Sequence, residues 1–244
     1  MAGTRDISLL DHFRKLWFFN FNRFENDNYR LMREYFARIT IAEIEEFLPL
    51  WSKQVLDVGG ARGEYCKVFH DLRDCDAINI DPDPNECAWP GTIVAYAHEM
   101  PFRDAQFDLV ICRSVLEHIP QRLQLQSMRE MCRLTRLSGI CYVVIPPWYN
   151  PHAGHNLKPF HVLPFRMAKF LRQLLFRTRI DGKSYAEALL YPITFSAMLK
   201  LISSSGFKVL ATKNTLLRLH ALTKIPLLRE VLVPSVAFIL KPAS

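Results

Sequence analysis

Apolar residues recur at helical spacing over the first fifty positions: Leu9, Leu10, Phe13 and Trp17, then Leu31, Met32, Tyr35, Phe36 and Ile39. Steps of three and four residues place each set on one face of a helix. A further helical turn or two over 41–48 is stopped by Pro49. From Val55 the rhythm changes to short apolar runs, each closed by turn residues. Five strands are predicted at 55–58, 77–80, 92–95, 107–112 and 140–145, with helical stretches at 65–70 and 116–137 between them. Later, 196–203 predicts a helix ended by Gly206, and 207–212 and 235–240 predict two more strands separated by 216–233. Strands alternating with helices predict an α/β fold, a parallel sheet with helices on both faces. A helical cap over 1–50 then precedes a domain over 51–244, interrupted after the fifth strand by an insertion at about 147–195 that is rich in proline, histidine and aromatics.

Composition narrows the class. The chain has 244 residues, 50% hydrophobic and 23% charged, which excludes an acidic or low-complexity disordered protein. It carries no apolar run of the roughly 18 residues that a bilayer span needs, and no apolar leader opens it. A cytoplasmic protein is expected, one that can work at the inner face of a membrane. The six cysteines form no CxxC pair and no zinc spacing, so reduced thiols are expected. The net charge of +7 hides an asymmetry: residues 1–122 hold 14 basic and 20 acidic side chains, residues 123–244 hold 17 and 4. The second half is therefore the part that should meet an anionic partner.

The chemistry begins at a glycine turn. Asp57-x-Gly59-Gly60-Ala61-Arg62-Gly63 follows the first predicted strand and opens a helix, at the edge where open α/β sheets bind ligands. A pyrophosphate site would read Gly-x-Gly-x-x-Gly without an acid at the strand end. Here a carboxylate precedes the first glycine by two residues, which suits a cationic, phosphate-free nucleoside such as S-adenosylmethionine. Asp81-Pro82 ends the second strand 22 residues after Gly59, the place from which an acid accepts hydrogen bonds from ribose hydroxyls.

These residues carry a resemblance. VLDVGGARGEY (55–65), INIDPDP (78–84), MPFRDAQFDLVICRSVLEHI (100–119) and RLTRLSGICYVVIPP (133–147) resemble a class I S-adenosylmethionine-dependent methyltransferase, in the subgroup reading LPFxDxxFDxVxxxxVLEH. The match runs over about residues 50–150. More loosely, the Gly-His of 154–155 and PLLREVLVPSVAFIL (226–240) resemble bacterial methyltransferases of envelope glycan or glycolipid synthesis. The resemblance implies a seven-stranded Rossmann-like sheet. It also implies that Asp57, Gly59, Gly60 and Gly63 hold the methionine end of the cofactor and that Asp81 and Pro82 meet the ribose. Ala97, His98 and Met100 would border the adenine, and Arg113 and Ser114 would line the inner edge. Two departures stand out: Ala61 replaces a third glycine, and Ala95-Tyr96 replaces the family's Gly-Asp.

Methyl transfer to a hydroxyl needs alignment and a base to take the proton. Two places offer one: Glu117-His118 beyond the fourth strand, and His152 and His155 after the fifth, with Asn156 and His161 nearby. His155, His118 and His152 are the candidate catalytic residues. The spacing of His152, His155 and His161 is a poor zinc signature, so no metal is expected.

Residues 164–179, PFRMAKFLRQLLFRTR, predict an amphipathic helix. Phe165, Met167, Ala168, Leu171, Leu174 and Leu175 share one side, and Arg166, Lys169, Arg172, Gln173 and Arg177 the other. Residues 216–230 have the same character. With the aromatic run Trp17 to Phe21, both segments suit an anionic membrane surface. Nucleic acid is the disfavoured partner, because the cations are interleaved with aliphatics. The expectation is O-methylation of a sugar hydroxyl on a lipid-linked or envelope glycan. The alternatives are a small lipophilic, quinone-like acceptor or RNA, or a non-catalytic methyltransferase-like binding subunit.

Overall fold

The computed structural model describes residues 8–22 and 27–243. The ends of the predicted helices at 5–7 and 23–26 lie outside the described residues, as do the side chains of Asn20 and Phe21. Two helices open the chain, α1 (Leu9–Asn22) and α2 (Asn28–Ile44). There follow β1 (Gln54–Val58), α3 (Glu64–Arg73), β2 (Asp76–Asp81), β3 (Thr92–Val94), β4 (Phe107–Arg113), α4 (Gln121–Leu134) and β5 (Thr135–Ile145). The insertion carries α5 (Phe165–Phe176). The chain then returns through α6 (Phe195–Ser204), β6 (Phe207–Asn214), α7 (Leu228–Val231) and β7 (Val236–Pro242).

The seven strands form one sheet in the order β3-β2-β1-β4-β5-β7-β6. β1 and β4 are paired in parallel and buried on both faces, which is why QVLDV and FDLVICR read as nearly continuous apolar runs. The sheet is not wholly parallel: β7 runs antiparallel to both β5 and β6. An antiparallel pair can be joined without a crossover helix, and the irregular 215–235 connection does this.

Two apolar layers sandwich the sheet. On one face α2 and α3 bury Phe36, Ile41 and Phe69 against Val55, Leu109 and Tyr142. On the other, α4 and α6 bury Met128, Leu134 and Met198 against Leu56, Val110 and Phe238. A satellite cluster of Trp148, Leu157, Phe165 and Ile180 holds the insertion together.

Three predicted elements change shape. The helix expected over 116–137 is a short 3₁₀ turn, Leu116–His118, then α4 from Gln121, because Pro120 interrupts the ladder; from Thr135 the chain is already strand. The helix over 164–179 is shorter, Phe165–Phe176, and ends where Arg177 turns left-handed. Residues 216–230 form no single amphipathic helix: they make a 3₁₀ turn, His220–Lys224, and the brief α7, separated by Pro226.

Candidate active site

The carboxyl ends of β1, β2 and β4 converge on the glycine turn. Gly59 and Gly63 have φ of 70° and 77°, in the left-handed region that favours glycine. A Cβ on Gly60 would come within 2.2 Å of Asp57 Oδ2 and 2.3 Å of Asn79 Oδ1. Those two oxygens are buried and have no hydrogen-bond partner. Two unpaired acceptors aimed at the same space form a place that lacks donors. Burial pushes the Asp57 carboxyl up to about 7, while the guanidinium of Arg33 works in the opposite direction.

Asp81 shares its oxygens between the turn and its own loop. Oδ2 accepts from the Ala61 N–H at 3.0 Å, and Oδ1 from the Asp83 N–H at 3.0 Å. Ala61 itself sits at φ 48°, so the departure from glycine falls on a left-handed position. Pro82 is exposed beside Asp81. Ala97 and His98 follow β3, which pairs with the Asp81 end of β2. Met100 is buried in the core, and its N–H donates to Glu130 Oε2 at 3.2 Å.

A cavity of about 670 Å³ opens beside Arg113 and Ser114 at the end of β4. Arg113 lies over the Phe36 ring, 4.9 Å from its centroid, and Ser114 is left-handed with its N–H on the Val144 carbonyl. Phe13, Leu16, Trp17, Met32 and Leu216 supply apolar walls. His12 of α1 pins that wall: its ring nitrogens lie 2.8 Å from the Tyr35 hydroxyl and 2.6 Å from the Leu216 carbonyl oxygen.

The polar wall is Glu117, His152 and His155. Glu117 is buried, and neither carboxylate oxygen has a hydrogen-bond partner. His155 Nε2 stands 3.7 Å from Glu117 Oε1, and its ring meets that of His118 edge-on at 4.6 Å. His118 Nδ1 is engaged by the Leu189 carbonyl at 2.7 Å. Burial lowers His152 from its ordinary value. His161 stays out of the cavity: it is buried against Trp148, with Nε2 on the Trp148 carbonyl at 2.6 Å. The histidines near in sequence are therefore split, and His155 joins Glu117 and His118 instead. These three offer ligand atoms within 4.8 Å of one another, a spacing that could also hold a divalent cation.

One site residue lies beyond what the sequence reading singles out. Glu117 and His118 adjoin in the chain and are both named there, and the structure reveals that Glu117 is the one buried without donors, while His118 is engaged by the Leu189 carbonyl. Arg33 has no signal in the sequence. It reaches from α2 to donate to Glu64 Oε2 at 2.7 Å and to the Gly60 carbonyl at 2.9 Å, clamping the glycine turn from outside the α/β domain.

Residues 56–143 match the family described as a methyltransferase domain. An uncharacterized methyltransferase of Mycobacterium leprae is 29% identical over 210 residues, covering 80% of this chain and 74% of the relative. The chain carries a methyltransferase domain over residues 56–143, in the fold of the class I methyltransferases. Its fold is shared by the PH0226 protein of Pyrococcus horikoshii, with a TM-score of 0.59, 15% identity and coverage of 91% and 98% of the two chains. It is also shared by the 1,6-didemethyltoxoflavin-N1-methyltransferase of Burkholderia thailandensis, solved with 1,6-didemethyltoxoflavin and S-adenosylhomocysteine. There the TM-score is 0.57 and the identity 15%, covering 100% of this chain and 92% of that one. S-adenosylmethionine is the methyl donor of this class, and the methyltransferase's turn fits it: two orphaned acceptors face a donor-poor space that a cationic group with N–H donors would satisfy.

Proposed function

We propose that this methyltransferase methylates a hydroxyl oxygen, on a sugar of a lipid-linked or cell-envelope glycan. The observation that carries the oxygen acceptor is the Glu117–His155 pair in the wall of the cavity beside Ser114. When bound, S-adenosylmethionine supplies a methyl group already activated by its sulfonium. Asp57, Gly59, Gly60, Gly63 and Asp81 would hold it, with Arg33 fixing the turn from behind. The His155 imidazole takes the proton of the acceptor hydroxyl, and Glu117 Oε1 stabilises the imidazolium across 3.7 Å. That carboxylate is buried and has no hydrogen-bond donor, so its charge is little screened. Arg113, Lys158 and Asn156 line the same cavity and suit a hydroxyl-rich acceptor. The aromatic wall of Phe13, Trp17 and Phe36 suits an apolar portion attached to it.

That wall also favours a second reading, a small lipophilic acceptor without a sugar. One experiment separates them. The purified protein is given S-adenosylmethionine with a labelled methyl group and an organic extract of envelope lipids, and products are read by mass spectrometry. Label in a sugar fragment, lost in His155→Ala and unaffected by a chelator, is the expected result. Label in a ring-bearing lipid without sugar supports the second reading. Activity abolished by the chelator assigns Glu117, His118 and His155 to a cation instead.

A further inference from the structure

We infer that the apolar face of α5, together with the rim of the acceptor cavity, docks on an anionic lipid bilayer. α5 is attached to the body by little more than Phe165 and Ala168, which are buried. Phe170, Leu174 and Leu175 are 61%, 62% and 60% exposed, and Met167 stands beside them at helical spacing. A helix on the surface of a globular body normally turns such a stripe inward. Here the stripe faces out, on an element that packs against two turns, that of Phe160 and that of His155, the latter lining the cavity. Phe13 and Trp17 of α1 line the cavity and are themselves exposed. Exposed apolar side chains thus line the cavity from α1 and stand on α5, which packs behind the turn that carries His155.

Charge selects the occupant. The helix and its C-cap carry Arg166, Lys169, Arg172 and Arg177 and no acid. Two copies meeting through this face would bring like charges together, so self-association is opposed. A nucleic acid would leave the aliphatic stripe against phosphates. A bilayer with anionic headgroups accepts both features, cations at the headgroup level and apolar side chains below it. Among the described residues no helix is long and apolar enough to cross a membrane, so the contact lies on the surface. The surface argument stands alone, but its use in presenting a lipid-linked acceptor rests on the proposed function.

The test is co-sedimentation of the full chain with vesicles of phosphatidylcholine alone or mixed with phosphatidylglycerol. The parent should sediment with the mixed vesicles and weakly with the neutral ones. Phe170→Ser with Leu174→Ser should lower partitioning by roughly tenfold or more, two inserted side chains being lost. Arg166→Gln with Arg177→Gln, which leaves the apolar stripe intact, should cost about fivefold per cation and only on anionic vesicles. S-adenosylmethionine binding by calorimetry should be unchanged in both variants, which separates loss of docking from loss of fold. Equal sedimentation of parent and variants, or none by the parent, overturns the inference. So does a dimer of the parent in sedimentation velocity that the double variant abolishes, or binding to RNA in place of vesicles. Neither result touches the methyl-transfer reading, which the labelled-extract experiment decides.

Discussion

Replacing Asp57 by asparagine tests the electrostatics of the turn directly. The carboxyl stands at about 7 in the folded chain against an ordinary value of 3.8, because it is buried with Oδ2 unpaired. Between those two values the folded chain holds a proton that the unfolded chain has lost, so stability falls as pH rises from about 4 to 7. Each unit is worth about 1.4 kcal/mol. Burial of this carboxyl therefore costs about 1.5 kcal/mol near pH 5, where folding must take up a proton, and about 4 kcal/mol near pH 8, where the buried group is ionised, the latter an upper figure. A side-chain amide at this position carries no such penalty, and it can turn a donor toward the unpaired Asn79 Oδ1 across Gly60. Asp57→Asn should accordingly stabilise the protein, and more at pH 8 than at pH 5. Urea unfolding at the two pH values, followed by circular dichroism, reads this directly. A variant less stable than the parent at pH 8, or a gain equal at both, would refute the argument.

The same substitution should damage binding. A cationic ligand favours the ionised carboxylate, so its uptake by the parent expels a proton below pH 7 and its affinity rises with pH up to that point. Calorimetry in buffers of different ionisation enthalpy measures that proton. Loss of one charge-assisted hydrogen bond costs about 1.5–3 kcal/mol, so Asp57→Asn should bind S-adenosylmethionine about 10- to 100-fold more weakly. A position that gains stability and loses ligand on one substitution is a binding group held at the expense of the fold.

Other substitutions probe the rest of the site. Arg33→Ala removes the partner of buried Glu64 and the donor to Gly60, and should cost about 3 kcal/mol of stability along with cofactor affinity; thermal melts with and without S-adenosylmethionine check it. Ala61→Gly relieves a left-handed alanine and should raise stability by about 1 kcal/mol in urea unfolding, with cofactor binding retained. His155→Ala should lower kcat by about 10²- to 10⁴-fold while leaving the cofactor Kd unchanged, and Glu117→Gln should do so by less. Equal losses in kcat and cofactor affinity would place His155 in the cofactor site instead.

The parts of this molecule that are legible in its sequence are those governed by local pattern. The strands β1, β2, β4, β6 and β7 lie within a residue or two of their predicted places because buried runs ended by turn residues have few other uses. The glycine turn is legible for a similar reason: Gly59 and Gly63 occupy conformations that side chains resist, so they mark the loop directly. What is not legible depends on partners distant in the chain. The direction of β7 follows from its pairing with β5, about ninety residues away, and nothing within AFIL encodes it. The 216–230 segment has the composition of an amphipathic helix, but Pro226 and its contacts with β6 divide it.

The site shows the same division, and it explains why its chemistry is only half visible in the sequence. Asp57 and Asp81 stand at strand ends, where spacing along one unit of the fold fixes their positions. Glu117 and His155 meet only because the turn after β4 and the loop after β5 rise from adjacent parallel strands, whose register brings Arg113 opposite Val144. Thirty-eight positions separate the pair in sequence, yet the sheet sets them side by side. Arg33 is more remote still, since α2 must first bury Phe36 and Ile41 against the sheet before its guanidinium can reach Gly60. Assembly of the N-terminal helices and shaping of the cofactor turn are thus one event. A chain lacking α1 and α2 would leave Glu64 unpaired and the Gly60 carbonyl without its donor, and would remove Phe13, Met32 and Phe36 from the cavity wall. The segment that reads as a cap therefore contributes both to the glycine turn and to the cavity wall, and its removal should abolish S-adenosylmethionine binding in calorimetry.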